Sequence, residues 1–385
     1  MSVAILAVAA CLSLVCAPIV AFAADGDPDS SFGTAGVAQD PTNGGGRLAV
    51  QSDGKILVAE FDTGGLRLLR FDTTGILHPT FGVGGIVTQP APGEYMGEFV
   101  VLSNGDLLVL AVDGTSSVLA RYDATGVPAA SFGAAGVATL PDCAIGYDTD
   151  YDLAVQPDGK IVVGITSYTG DPSYEACLVR VDAGGIVDPG FGAGGVVVLP
   201  GWFVAAVALQ GDRVLVGGAV TDGDTFPAAI MRLGSDGGSL GGFGNSGVFT
   251  HPGGRVVDLA VQENGDIYAF IPRGSDHADV LRVSASGALD ASFGTGGVAV
   301  IEGPPDSFNG SGKIALQADG KIVVAATFGE SHAPIGFQGG VQLTRLDADG
   351  TADASFGSGG SQTSVWGSLR GFALQSDGKI LVLGV

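Results

Sequence analysis

Short apolar runs separated by a polar turn recur along the whole chain. The turn is usually Asp-Gly or Asn-Gly, the strongest short signal for a β-hairpin. It predicts a type I′ turn, in which both central residues have positive φ. Each copy therefore predicts a strand, a two-residue turn and a second strand. The clearest copies are LAVQSDGKILVA at 48–59, LAVQPDGKIVVG at 153–164, IALQADGKIVVA at 314–325 and FALQSDGKILVL at 372–383.

Two further marks lie between these hairpins. One is an apolar strand that ends in Arg, and the other is a Phe-Gly pair followed by small residues and an apolar strand. From each Arg to the next Phe is always eleven residues, and the Phe-Gly pairs are about 54 residues apart. The arginines are Arg70, Arg121, Arg180, Arg232, Arg282 and Arg345, and the pairs begin at Phe32, Phe81, Phe132, Phe191, Phe243, Phe293 and Phe356.

These marks define a unit of four strands. Strand A precedes the Asp-Gly turn, strand B follows it, strand C ends at the Arg and strand D follows the Phe-Gly pair. A single such unit cannot bury both of its faces without neighbours, so continuously apolar strands indicate stacked units. We predict an all-β fold, one seven-bladed β-propeller of four-stranded antiparallel blades. A β-helix or linear solenoid is the competing architecture, but its coils are usually shorter and its strands parallel.

Segments such as RLDADGTADASFGSGG and LAVQPDGKIVVG resemble the delta-60 repeat. More loosely, the repeats are similar to NHL-type blades. The delta-60 resemblance covers essentially the whole chain after the first two dozen residues, and it implies a β-propeller in an exported bacterial protein. It implies no established activity.

The first 23 residues are uncharged and apolar and end in Ala21-Phe22-Ala23, a pattern read by signal peptidase. We predict a signal peptide at 1–23, a propeller at 24–385 and a secreted, periplasmic or cell-surface location. Against this, no basic residue precedes the apolar run. An uncleaved anchor and lipidation at Cys11 are the alternatives.

The two ends of the predicted propeller align within one blade. Residues 24–33 align with 348–357, so they lead into strand D of the last blade, while the last residues reach only its strand B. A strand C marked by Arg would begin beyond Val385. We therefore expect the last blade to lack one strand.

Loop lengths vary on one face only. The connections from strand B to strand C and from strand D to strand A vary in length, whereas the A–B and C–D turns are nearly constant in length. In an up-and-down blade the variable connections share one face, which we call the long-loop face, and loops are where binding residues concentrate. The longest predicted loops are 141–151, 167–176, 220–228, 301–311 and 327–340. Their aromatic residues, candidates for binding a ligand, are Tyr147, Tyr151, Tyr168, Tyr174, Trp202, Phe226, Phe308 and Phe337.

Several other residues suggest a site less specifically. Cys143 and Cys177 lie in variable connections of one blade, which predicts a disulfide.

Asp148, Asp150 and Asp152 have the alternate spacing of calcium ligands, although a full calcium loop is absent. We predict no cofactor, with calcium as the alternative. His251, His277 and His332 lie in variable connections of neighbouring blades. The six strand-C arginines are expected to pack between blades, with a ring of cations as the alternative.

The net charge of −23 argues against nucleic acid or an anionic membrane surface as a partner. The chain has no G-x-S-x-G, H-E-x-x-H or phosphate-loop motif. We therefore expect a monomeric, non-catalytic binding propeller whose ligand is a glycan, a peptide or a surface protein. The competing hypothesis is a propeller hydrolase or lyase that uses axial carboxylates and a bound cation. Its candidate acids are Asp148, Asp150, Asp152, Glu302 and Asp306.

Overall fold

The computed structural model describes residues 18–39, 46–113, 116–141, 150–170, 173–221, 225–274, 277–303, 308–332, 336–364 and 367–384. Every regular element in these ranges is a β-strand, and the described residues include no helix that could span a membrane. The strands are β1 (Pro18–Phe22), β2 (Val37–Gln39), β3 (Gly46–Val50), β4 (Ile56–Asp62), β5 (Gly65–Phe71), β6 (Ile86–Gln89), β7 (Tyr95–Val101), β8 (Leu107–Asp113), β9 (Ser116–Tyr122), β10 (Val137–Thr139), β11 (Tyr151–Val155), β12 (Ile161–Gly170), β13 (Ser173–Val181), β14 (Val196–Pro200), β15 (Trp202–Gln210), β16 (Arg213–Val220), β17 (Ala228–Leu233), β18 (Val248–His251), β19 (Asp258–Val261), β20 (Ile267–Pro272), β21 (His277–Val283), β22 (Val298–Glu302), β23 (Phe308–Leu316), β24 (Ile322–His332), β25 (Gly336–Leu346), β26 (Ser361–Ser364), β27 (Leu369–Leu374) and β28 (Ile380–Gly384).

The strands form seven four-stranded antiparallel sheets, which are the blades of a propeller. Blade 1 consists of β3 to β6, and each following set of four strands forms the next blade, up to β23 to β26 in blade 6. Blade 7 contains β27, β28, β1 and β2. Strand A of each blade contacts strand A of the next, including β27 with β3, so the ring is closed around a central channel. The predicted seven-bladed fold is confirmed.

The core lies between neighbouring blades. It consists of seven clusters of buried apolar side chains, each shared by two adjacent blades. Each cluster contains one Phe of a Phe-Gly pair, and all seven of these rings are at most 1% exposed. In six of the seven pairs the Gly donates its backbone N–H to the C–D turn of the next blade, as Gly33 does to Thr74 at 2.6 Å. The repeated Phe-Gly pair therefore joins each blade to its neighbour.

The A–B turns differ from the predicted type I′ geometry. In the A–B turn of the first blade only Gly54 has positive φ, at 82°, and its N–H donates to the carbonyl of Gln51. The Gln51 N–H in turn donates to the carbonyl of Lys55, and the carboxylate of Asp53 accepts the Lys55 N–H. This is the pattern of a type I turn followed by a glycine bulge, so one residue with positive φ suffices.

The prediction that the last blade lacks a strand is wrong. Strand C of blade 7 is β1, which pairs with β28 on one side and β2 on the other. Ala21 precedes Phe32 by eleven residues, the spacing at which the other blades have Arg. The same five residues belong to the predicted signal peptide, so cleavage after Ala23 would remove β1. That cleavage stays a prediction.

Two of the predicted long loops are mostly strand. In blade 3, β12 runs to Gly170 and β13 begins at Ser173, and in blade 6, β24 runs to His332 and β25 begins at Gly336. β24 and β25 stay in register as far as His332 and Gly336, and β12 and β13 pair as far as Gly170 and Ser173, with a register shift after Tyr168. Residues 167–176 and 327–340 therefore largely extend the blades as β-ribbons on the long-loop face.

Candidate functional site

Five of the six strand-C arginines contact the next blade around the ring. For each of these five the structure shows a hydrogen bond from the guanidinium to a backbone carbonyl in the C–D turn of the next blade. The acceptors are Ala124 for Arg70, Ala183 for Arg121, Ser235 for Arg180, Ala285 for Arg232 and Ala24 for Arg345. Arg282 instead pairs with Asp266 and Asp290, at 3.0 and 3.2 Å. The five contacts with backbone carbonyls hold neighbouring blades together, and they lie on the third strand from the axis.

The three candidate aromatic residues whose side chains the structure describes do not form one surface. Trp202 is 5% exposed because it begins β15 and packs in the core between blades 3 and 4. Tyr151 begins β11 and packs between blades 2 and 3, whereas Phe226 is 39% exposed. Tyr147 lies outside the described residues. For Tyr168, Tyr174, Phe308 and Phe337 only the strand positions are described.

Cys177 is buried in β13 and is disulfide-bonded. It lies within strand C, paired with Ile165 and Val198, and not in a loop as predicted. Cys143 lies outside the described residues, so its pairing with Cys177 stays a prediction.

Reduction of this disulfide is expected to destabilise the protein by roughly 2–5 kcal/mol, the usual effect of losing a native bridge. Chemical denaturation with and without a reductant measures the difference. If the partner is Cys143, the Cys143→Ala variant should be insensitive to the reductant. A Cys143→Ala variant that still responds to the reductant would contradict the predicted pairing.

Of the predicted calcium ligands and candidate acids, those that the structure describes are not brought together. Asp148 and Asp306 lie outside the described residues. Asp150 pairs with Arg255 at 3.5 Å, and Glu302 lies on β22, the outermost strand of blade 5. The described residues contain no group of three His, Cys, Asp or Glu that could hold a metal ion.

The candidate histidines lie on the outer half of the blades. His251 is on strand D of blade 4 and His277 begins strand C of blade 5. Burial lowers the pKa of His251, and the positive charge of Arg273 lowers it further. The side chain of His332 is outside the described residues. The structure therefore gives no support to a shared histidine site.

Asp152 belongs to a ring of charged residues that lines the central channel. One position of strand A faces the same cavity in most blades. It lies four residues before the position that Gln51 occupies in blade 1. Its occupants in blades 1 to 7 are Arg47, Glu98, Asp152, Ala206, Asp258, Lys313 and Gly371. In blade 7 the preceding residue, Arg370, is a bulge residue that lines the cavity instead. Strand A begins at the long-loop face, so the ring lies near that end of the channel.

The cavity has a volume of about 300 Å³ and is lined by all six charged residues, namely Arg47, Glu98, Asp152, Asp258, Lys313 and Arg370. Sequence reasoning singled out only Asp152, because the other five share no residue type. The available signal is positional: the three residues that follow this position in strand A are apolar in every blade, whereas the residue at this position changes in charge.

Backbone N–H groups donate to all three carboxylates: Leu153 donates to Asp152 and Phe99 to Glu98, each at 2.9 Å, and two further donors come from other strands. One oxygen of Asp152 accepts the N–H of Val207 at 2.6 Å, and one oxygen of Asp258 accepts the N–H of Ile314 at 2.7 Å. Both donors belong to the next blade. Lys313 Nζ lies 3.7 Å from Asp258 and 3.9 Å from Glu98, so the ammonium sits among the carboxylates without a close hydrogen bond to either.

The electrostatics of the ring follow from burial and from these neighbours. Burial raises the pKa of Asp152 to about 7, against the opposing effect of Lys313 and with a further contribution from Glu98. Burial likewise raises the pKa of Asp258. The pKa of Lys313 is raised, chiefly by Asp258. A carboxyl that titrates near neutrality in a cavity is a mark of a functional site.

The raised pKa of Asp152 predicts a pH dependence of stability. The folded state holds this proton up to about pH 7, whereas the unfolded chain releases it near pH 4. The contribution of Asp152 is therefore fully present below pH 4 and is lost as the pH rises to 7. Denaturation of the wild-type and Asp152→Asn proteins across this range should show a steeper decline in the wild type, because Asp258, whose pKa is also raised, is present in both proteins. Parallel curves would contradict the raised pKa.

Comparison with known proteins agrees with the architecture. Residues 156–191 and 317–356 match the family model described as "Domain of unknown function (DUF5122) beta-propeller". Each match runs from the Gln that follows strand A to the Phe of a Phe-Gly pair, in blades 3 and 6. No curated protein matches the chain.

Three solved structures illustrate how remote the structural likenesses are. Regucalcin of Agrobacterium tumefaciens, a calcium-binding protein, is 15% identical over 75% of this chain and 83% of its own, with a TM-score of 0.40. Sqt1 of Chaetomium thermophilum, bound to the N-terminus of ribosomal protein L10, is 15% identical over 88% and 83%, with a TM-score of 0.49. The PQQ-bound aldose sugar dehydrogenase of Streptomyces coelicolor is 16% identical over 88% and 93%, with a TM-score of 0.44.

These likenesses carry no information about the activity of this chain. The repeated sequence marks, the two family matches and the seven blades together support a propeller of the repeat type. The chain is a β-propeller built from repeats, and the delta-60 name remains a resemblance.

Proposed function

We propose that this protein is an exported, non-catalytic binding propeller that takes its ligand at the long-loop end of the central channel. The ligand is a glycan, a peptide or a segment of a surface protein. The observation that carries the proposal is the charged ring: one channel-facing position varies between Arg, Glu, Asp and Lys among blades, whereas the three positions that follow it in strand A are apolar in every blade. Folding alone requires no such variation, since Ala206 and Gly371 occupy the same position in other blades.

The mouth of the channel supports a binding role. Arg255, which precedes strand A of blade 5, stacks over the ring of Phe203 of blade 4 at 4.6 Å and pairs with Asp150 of blade 3 at 3.5 Å. A cation over an aromatic face is a stable arrangement. It places a fixed polar and aromatic surface next to the charged ring, on the face where the connections vary in length.

One observation favours the alternative, a hydrolase or lyase with axial carboxylates. Asp152 lies in the cavity and has a pKa near 7, as a general acid or base requires. The position of Lys313 argues against the bound cation of that hypothesis. Its ammonium already lies within 4 Å of Glu98 and Asp258, where a metal ion between carboxylates would be expected.

The test is a binding screen of the protein against cell-wall glycans, peptides and secreted proteins, followed by the Lys313→Met variant. A ligand whose affinity falls in this variant supports the proposal. Ligands that bind the two proteins equally, or no ligand at all, would count against the channel. Turnover of any ligand by the wild type, abolished in Asp152→Asn, would establish the alternative instead.

A further inference from the structure

The charges of the ring are segregated around the channel. Blades 6, 7 and 1, which are consecutive, contribute the cations Lys313, Arg370 and Arg47. Blades 2, 3 and 5 contribute the carboxylates Glu98, Asp152 and Asp258. Blade 4, between two of the acidic blades, contributes Ala206. We call these two arcs the cationic half and the acidic half.

The cationic half has binding capacity that the fold does not use. Within the described part of the chain, the guanidinium of exposed Arg370 makes no hydrogen bond or ion pair. Among the described residues, the Arg47 guanidinium donates one hydrogen bond, from Nε to the carbonyl of Gly97 at 3.2 Å. Its two terminal nitrogens therefore remain available to a ligand. A guanidinium offers paired donors that suit a carboxylate or phosphate. Arg47 and Arg370 lie on adjacent blades and line one cavity, so both can donate to the same anion.

The acidic half keeps acceptor capacity as well. One oxygen of Asp152 accepts the N–H of Val207 and the other accepts that of Leu153, while one oxygen each of Asp258 and Glu98 accepts the N–H of Ile314 and of Phe99. The other oxygen of Asp258 is 3.7 Å from Lys313, and a Glu98 oxygen is 3.9 Å from it, both beyond hydrogen-bond length. An ammonium group of a ligand therefore finds carboxylate oxygens that the protein itself does not saturate.

From this arrangement we infer that the channel binds a zwitterion of the amino acid or short peptide class. Its carboxylate contacts Arg47 and Arg370, and its ammonium contacts the acidic half. The inference rests on the proposed function and selects the peptide class among its ligands. A cavity of about 300 Å³ suits a molecule of this size. A ligand with only one charge would desolvate the opposite half of the ring without replacing its interactions.

The experiment compares three probes by calorimetric titration of the intact protein. The probes are 6-aminohexanoate, which carries both charges, hexanoate, which keeps the carboxylate, and hexylamine, which keeps the ammonium. We expect 6-aminohexanoate to bind at least about tenfold more tightly than either analogue, the usual effect of one charged hydrogen-bonded contact.

Three variants assign the contacts. Arg370→Gln should weaken the binding of 6-aminohexanoate about tenfold and leave the affinity for hexylamine unchanged. Asp258→Asn should do the reverse, weakening the zwitterion and hexylamine but not hexanoate. Arg213→Gln is the matched control, because exposed Arg213 begins strand B of blade 4, next to an A–B turn at the other end of the channel, and should have no effect.

The outcomes separate the inference from the proposed function. If hexanoate or hexylamine binds as tightly as the zwitterion, the inference is wrong and the channel still binds ligands. The same holds if the probes fail but a glycan or protein loses affinity in Arg370→Gln. If no ligand of the wider screen responds to Arg370→Gln or Lys313→Met, both the inference and the proposed function are wrong.

Discussion

A chain that begins at Ala24 is expected to unfold far more readily than one that begins at Pro18, because it lacks β1. Ile19, Val20 and Phe22 are each at most 3% exposed and pack in the clusters on both sides of blade 7. Burial of three such side chains contributes on the order of 5 kcal/mol. The loss also removes the partner of β2, which pairs with β1 alone. Equilibrium denaturation of the two chains measures the difference.

The control for this comparison is the full chain, which should match the chain that begins at Pro18. A synthetic peptide containing residues 18–22 should restore part of the stability of the shorter chain, since an open strand position can accept an extended peptide. Equal denaturation midpoints for the chains starting at Pro18 and Ala24 would contradict the role of β1. N-terminal sequencing of the exported protein then shows whether β1 is retained or leaves with the predicted signal peptide.

Most of the fold is predictable because residues that make the same structural contacts recur from blade to blade. The Phe-Gly pair, the Asp-Gly turn and the strand-C Arg each mark a position where blades meet. β1 escapes this reasoning because Ala21 occupies the Arg position and because its apolar sequence also suits a signal peptide. The position of Trp202 is also mispredicted. Pro200 ends β14 and Gly201 forms the turn before β15, at a φ of 72°, so Trp202 begins the strand and packs in the core.

The site was less predictable, for a reason that lies in the repeat itself. Residues that recur are needed by every blade, so a site must be sought where one position fails to recur. Glu98 and Lys313 attract no attention singly, and only alignment of the strand A copies places them at one level. The alignment alone predicts neither the cavity nor which charges lie on the same side of the channel, because both depend on how blade 7 closes the ring.

Arg345→Ala is expected to destabilise the protein by about 3–5 kcal/mol, the usual cost of removing one partner from a buried ion pair. Arg345 donates Nε to Asp353 at 2.6 Å, and both side chains are at most 7% exposed. Its guanidinium also contacts the Ala24 carbonyl and lies 4.7 Å from the centre of the Phe356 ring. One substitution therefore disturbs the ion pair, the contact with blade 7 and the packing between them.

Arg282→Ala is the matched control, since Arg282 occupies the same position in blade 5. Its side chain is 22% exposed and lies 6.0 Å from the Tyr268 ring, so its loss should cost less. Urea denaturation at neutral pH compares the two variants with the wild type. Equal losses would show that burial of the Arg345 pair does not matter.

The acid limb of the stability curve provides a second measurement on the same variant. Burial would raise the pKa of Asp353, but hydrogen bonds from Ser355, Lys321 and Arg345 outweigh it and hold the pKa well below its ordinary value. A carboxyl with a depressed pKa stabilises the fold above about pH 4 and loses that contribution as the pH falls. Arg345→Ala removes one of these donors, so its stability should fall less steeply between pH 4 and pH 2 than that of the wild type. An unchanged slope would show that Arg345 does not hold Asp353 in its ionised form.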